Sequence, residues 1–477
     1  MNFINVVIGG IEDQVGALIF GWWGESFINL LNAPFGFHFV NSWKTNQPIF
    51  SFVFTEGIKV INPVIFSNIF AFFGIFLTVV LSFILFRALK FAWFLSLVLA
   101  LIFAFSPYVF MHIGIHPALS QIWLIPLFFQ RVIFQRRHLL QGVSFANSIV
   151  TGFILAVAVL ISNYLGFFLL LFAFCFFISD LICKRIFNCP FQFVAFLRYY
   201  LIILVSFVLL VTPFLFPYIK ANYFSGSNIS ANVVSLSPQR TLEDFQNFSA
   251  RPWYYILPPL ANPVLGKTIT RPVLDWMENS WGYFLADDYF TKEHGGDFLG
   301  WFNLTLFLIA ITFAIKDIVK NVKCQMSNVK SYKISSLCEV KAQNHKSFYS
   351  EDFLKLVLTL ALTIVLLFLF TMPPFFTVGG HKIYTLGFVL YKFFPMFRVT
   401  ARLGVVILMG VLVINGVFLQ SLFLKSQNSN VKCQKLQNKF ASRSHISNVK
   451  TFILFLYLIG SLFEFYVPVS TFDTSKV

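Results

Sequence analysis

Residues 60–90 read VINPVIFSNIFAFFGIFLTVVLSFILFRALK, an apolar run closed by two bases, Arg87 and Lys90. A helix of about 20 such residues crosses the roughly 30 Å of hydrocarbon in a bilayer. The run is continuously apolar rather than alternating, which argues against a barrel strand. The same pattern recurs along the chain, so the spacing predicts spans at 60–86, 91–110, 117–134, 146–162, 164–182, 197–217, 299–315, 353–371, 403–424 and 451–467. Composition agrees: 58% of the 477 residues are hydrophobic and 66 are Phe, more apolar surface than a soluble core can hide. Hydrocarbon demands internally satisfied backbone. The expected fold is therefore all-α, a polytopic transmembrane helical bundle of about ten spans.

Charge sorts across these spans. Segments 87–90, 131–145, 183–198, 316–355 and 425–450 fall on one side and hold 22 of the 35 Lys and Arg. With Asp180 included they hold five acids, a net of +17, and the rest of the chain nets −1. The positive-inside rule makes the basic side cytoplasmic. The formal charge of +16 is thus a topology signal and not a nucleic-acid footprint, which would need bases clustered on one folded face. Cys183, Cys189, Cys324, Cys338 and Cys433 fall on the basic side and Cys175 inside a span, so no disulfide framework is expected.

The organisation that follows is an outer segment 1–59 with an amphipathic helix over 14–31, and a six-span bundle 60–217. A long outer loop 218–298 leads to a four-span bundle 299–467 and an outer tail 468–477. An outer segment 1–59 calls for an in-to-out helix ahead of it. Within the second bundle, loops 316–352 and 425–450 share low-complexity text: Asn321-Val-Lys-Cys-Gln325 recurs as Asn430-Val-Lys-Cys-Gln434. Such Ser/Asn/Lys-rich stretches are expected to be solvated. Loop 218–298 is too long for a plain connection. Its Trp253, Tyr254, Tyr255, Trp276, Trp281 and Tyr283 suggest short interfacial helices anchored by aromatic rings.

The outer segments hold the candidate chemistry. Glu12 and Asp13 open the amphipathic stretch, where they would either answer a helix dipole or supply a general base. Asp287, Asp288, Glu293 and Asp297 gather with His294, a set that is either solvated or able to ligate a divalent ion. His112 and His116 flank a proline-marked turn. Arg398 and Arg402, four apart before a span, would share a helix face at headgroup depth, against the usual bias of bases to the inside. Arginine pairs grip phosphate bidentately, though snorkelling to the interface is the plain alternative.

Several of these pieces occur together in order. Glu12-Asp-Gln14 precedes Trp22-Trp23 and Asn32-Ala-Pro-Phe-Gly36. Phe103-Ala-Phe-Ser-Pro-Tyr108 is followed by His116 and Trp123-Leu-Ile-Pro-Leu127. Phe248-Ser-Ala250 leads into Tyr255-Ile-Leu-Pro258, Glu293 precedes Phe298-Leu-Gly300, and Phe397-Arg-Val-Thr-Ala-Arg402 comes last. In this the chain resembles the GT-C superfamily of polytopic membrane glycosyltransferases, more narrowly its bacterial YfhO-like and dolichyl-phosphate-mannose-protein mannosyltransferase-like members. Thr400 stands where that family often has Pro. The resemblance implies a cell-envelope transferase of the bacterial cytoplasmic (inner) membrane, using a polyprenyl-phosphate-linked sugar. It implies Asp13 as base with Glu12 beside it, Glu293 as a second acid, and Arg398, Arg402 and His116 toward the lipid phosphate. A divalent cation is left open. The bilayer and the lipid-linked sugar are the expected partners. A transporter or flippase of a lipid-linked substrate, or an inactive relative, is the alternative. Ionisable residues near mid-span would favour a transporter, and here they lie near span ends.

Overall fold

The structure, a computed structural model, describes residues 6–8, 47–113, 116–138, 145–187, 193–219, 241–281, 295–330, 349–378, 380–434, 441–468 and 471–473. Strand β1 (Val6–Ile8) precedes helices α1 (Pro48–Val60), α2 (Pro63–Ala88), α3 (Trp93–Ala104), α4 (Pro107–His112), α5 (Leu124–His138), α6 (Phe145–Ile161), α7 (Asn163–Ile186) and α8 (Phe193–Ile219). Short helices α9 (Leu242–Asn247) and α10 (Arg271–Trp281) lie between α8 and α11 (Trp301–Lys330). Then come α12 (Glu351–Thr371), strands β2 (Phe375–Val378) and β3 (His381–Tyr384), α13 (Leu386–Phe393), α14 (Gly404–Gln434), α15 (Ala441–Phe465) and strand β4 (Thr471–Asp473). Each expected span overlaps a helix, although 91–110 divides into α3 and α4 at Ser106-Pro107 and 117–134 becomes helical only from Leu124. Helix α1 lies in a segment where no helix was expected; its Phe50 and Phe54 pack with Phe66, Phe70 and Ala118.

Among the described residues seven helices are long and apolar enough to cross a membrane, and α5 and α6 are shorter apolar helices. The chain is accordingly a helical membrane protein. Sheet is confined, among the described residues, to two antiparallel pairs, β1 with β4 and β2 with β3.

Local chemistry sets the helix ends. Asn62 caps α2, its side chain accepting from Val64 N at 2.9 Å, with Pro63 in the first turn. Helix α2 ends at Lys90, which takes φ 67° so that Phe91 N donates to Phe86 O (3.1 Å) and Lys90 N to Arg87 O (2.9 Å). Ser350 caps α12 ahead of Glu351 and Asp352, whose charge suits the helix N-terminus.

Helix α14 is the axis: 94% of its spanning window is buried, and it packs against α3, α5, α7, α11 and α12. The outward helices α8 and α11 bury only 17% and 22% of theirs, leaving Leu201, Leu209, Phe302 and Leu308 for lipid to cover. At one end of the bundle lie the basic termini, where Lys184 pairs with Asp180 at 2.8 Å and Asp317 accepts from Tyr349 N at 3.0 Å. The segments at 106–113, 116–120, 241–281, 295–300, 371–378 and 380–403 gather at the other end.

Candidate functional site

That second end is braced through one residue, Thr371, at the last turn of α12. Its carbonyl accepts from Ala250 N (2.9 Å) and from the Thr400 hydroxyl (3.2 Å), and its own hydroxyl accepts from the Tyr255 phenol (2.8 Å). Ala401 N donates to Phe248 O, and Gln246 Nε2 to Phe375 O (3.3 Å). Three chain segments far apart in sequence thus form one platform of backbone and hydroxyl hydrogen bonds.

The two arginines rise from it differently than expected. They do not share a helix face: Val399 is outside helical geometry (φ −89°, ψ 72°), and only Thr400–Leu403 form a 3₁₀ turn leading into α14. Phe397 is drawn away to stack on Phe167 at 4.1 Å and 4°. Arg398 therefore lies over the Phe248 ring (4.3 Å) with Asp244 at 3.6 Å. Arg402, only 6% exposed, holds its guanidinium 5.0 Å from the Tyr164 ring centre. Burial of Arg402 disfavours simple snorkelling.

Asp297 is the acid that sequence reasoning grouped but did not single out. It is 1% exposed, not solvated as an acid-rich loop suggests. The turn 295–297 packs against α4, the 3₁₀ turns at 252–255 and 400–403, and the start of α14. A Cβ on Gly404 would come within 2.3 Å of Asp297 Oδ1, so the carboxylate lies against the first residue of α14, where a helix favours negative charge. Burial, and after it the charge of Asp297, raises the Tyr255 phenol well above its usual range, so it remains a neutral donor to Thr371. The aromatics Tyr254 and Tyr255, expected as interface anchors, are instead buried in the core at 3% and 4% exposure. Trp276, 54% exposed on α10, fits the anchoring expectation.

On the far side of the 295–297 turn, His112 is wholly buried and stacks on Tyr108 at 4.2 Å. Its Nδ1 lies 2.7 Å from Tyr108 O; a carbonyl only accepts, so Nδ1 carries the proton. His116 is half-buried, its ring 6.2 Å from His112.

Of the residues singled out from sequence, Arg398, Arg402 and His116 therefore lie at one end of the bundle, and the turn that carries Arg402 packs on the turn that carries Asp297. Glu12, Asp13 and Glu293 lie outside the described residues. Among the described residues no three His, Cys, Asp or Glu side chains cluster to hold a metal ion. The signal for Asp297 was its place directly before Phe298-Leu-Gly300 and a span; Tyr164 had none, being one aromatic among many.

Residues 33–251 match the model of a family described as a domain of unknown function, DUF6311. No curated protein and no solved structure matches the chain. The matched stretch takes in His116, Tyr164, Asp244 and Phe248 and ends before Asp297, Arg398 and Arg402.

Proposed function

We propose that the protein is a ten-span membrane glycosyltransferase of GT-C type, working on the face opposite the basic loops. It would transfer a sugar from a polyprenyl phosphate to a cell-envelope acceptor in the bacterial inner membrane. The observation that carries the reading is the pair Arg398 and Arg402, both backed by aromatic faces on a cross-braced platform beside buried Asp297. Guanidiniums so held suit a lipid phosphate. In the reaction, Asp13 takes the proton of an acceptor hydroxyl and the hydroxyl oxygen bonds to the sugar C1. The bond from C1 to the phosphate oxygen breaks, and the lipid phosphate departs with its electron pair toward Arg398 and Arg402. Glu12 beside Asp13 and Glu293 as a second acid would assist the transfer, and His116 would help hold the lipid phosphate.

Preorganised charge in a partly dehydrated site is worth several kcal/mol, and a general base about 10²–10⁴-fold. Arg402→Ala and Asp13→Asn are therefore each expected to lower transfer by about 10²-fold or more. The measurement is label passing from lipid-phosphate sugars to extracted envelope glycans, backed by mass spectrometry of those glycans with and without the gene. Wild-type transfer by Asp13→Asn would sink the base assignment.

A further inference from the structure

The loop between α12 and α14 carries a surface that the catalytic reading does not use. Strands β2 and β3 pair in register, Phe375 with Tyr384, Phe376 with Ile383, Thr377 with Lys382 and Val378 with His381. Alternation sorts these pairs onto two faces. On one face Tyr384, itself 59% exposed, packs on Phe388 of α13 at 4.6 Å, and Lys382 lies over Phe375 at 4.7 Å. The other presents Phe376, Ile383 and Val378, exposed by 37%, 55% and 61%. Helix α13 and the turn after it likewise expose Val389, Phe393 and Met396. The root is fixed: Thr385 N donates to Pro374 O at 3.0 Å, and Gly387 packs against Met372 O.

Two observations say what covers this patch. It begins four residues beyond the end of α12, a membrane-length helix, so it lies where hydrocarbon meets headgroups. It is also one-sided in charge: residues 372–402 contain Lys382, Lys392, Arg398 and Arg402 and no Asp or Glu, on the side of the chain that otherwise nets acidic. Exposed apolar side chains on one face, with Lys382 at the strand edge reaching from the other and Lys392 exposed on α13, match an anionic lipid surface, into which the apolar groups sink while the ammonium groups meet phosphate.

We infer that the β2–β3 hairpin, with α13, is a paddle that docks its Phe376–Val378–Ile383 face into the anionic lipid leaflet at its own end of the bundle. Docking would hold the platform of Phe248, Thr371 and Arg398 at fixed depth, whichever reaction that platform serves.

The test uses the full-length protein in nanodiscs of phosphatidylcholine alone or with phosphatidylglycerol. A nitroxide on Val378→Cys, with the six native cysteines replaced, reports collision with oxygen against a water-soluble nickel chelate. Docking predicts an oxygen-favoured environment in the anionic discs. Lys382→Gln and Lys392→Gln should each weaken the anionic preference by about fivefold, since a lysine near an anionic surface is worth about 1 kcal/mol. Should the cysteine-free chain fail to fold, a photoreactive diazirine residue at position 383 in the native background reads the same contact as a lipid adduct. A label open to the chelate in both lipids overturns the proposal. So does a label shielded in both with adducts to protein, which would identify a second copy or another part of this chain as the cover.

Discussion

At Gly404 one hydrogen in place of a methyl group lets a buried carboxylate sit against the start of the central helix. Ala there would place Cβ 2.3 Å from Asp297 Oδ1, and the short Asp side chain has nowhere to swing in a turn packed on four neighbours. Gly404→Ala is expected to cost about 1–3 kcal/mol. Gly410→Ala, whose nearest atoms are the flexible tip of Ile364 at 3.1 Å, should cost less. Thermal unfolding midpoints in detergent compare the two; equal shifts would mean that Asp297 is not pinned to α14. The arginines near it were legible in sequence because bases outside the basic side are conspicuous. Asp297 was not, because acids in a loop are usually solvated and burial is a property of the assembled turn. The Tyr254–Tyr255 pair misled for the same reason, since an interface anchor and a core tyrosine share one sequence pattern.

Among the elements, α11, α14 and α15 are tied by polar side chains inside an apolar bundle. The Tyr457 hydroxyl donates to Asn303 Oδ1, Asn303 Nδ2 to Leu299 O (2.9 Å) and Asn415 Nδ2 to Asn303 O (2.9 Å). Nearby, Glu464 accepts from Phe302 N (3.4 Å) at the first turn of α11, and Asn262 Nδ2 donates to Phe463 O (3.1 Å). Side-chain hydrogen bonds between membrane helices average about 0.6 kcal/mol and reach about 1.7. Tyr457→Phe should fall in that range, and Asn303→Ala should cost more because it also strips the partner from a buried phenol. A double-mutant cycle of the two, read by unfolding in detergent, should show coupling of about the single-bond size; additive losses would deny the bond. Helix identity was legible because apolar runs of span length admit one structure. The β2–β3 hairpin was not, since four-residue strands around Gly379-Gly380 resemble any loop.

Across the whole molecule the charge pattern and the packing meet. The most buried helix, α14, joins the Arg402 turn at one end to the Lys425 region at the other, so the two faces differ in chemistry along a single axis. Cysteine usage turns this into a measurement with little background. Cys175 and Cys183 are free and buried, and Cys189, Cys324, Cys338 and Cys433 all belong to the basic segments. A membrane-impermeant maleimide added to intact spheroplasts should leave the native chain unlabelled and label it only after lysis. Asp275→Cys on α10, a position half exposed at the opposite end, should label without lysis. Among the described residues the native Asp275 pairs with exposed Arg271 at 3.1 Å, a contact worth under about 1 kcal/mol, so the substitution is expected to leave folding intact. Labelling of the native chain before lysis would reverse the orientation. It would also move Arg398, Arg402 and the hairpin to the cytoplasmic leaflet, where an envelope acceptor could not reach them.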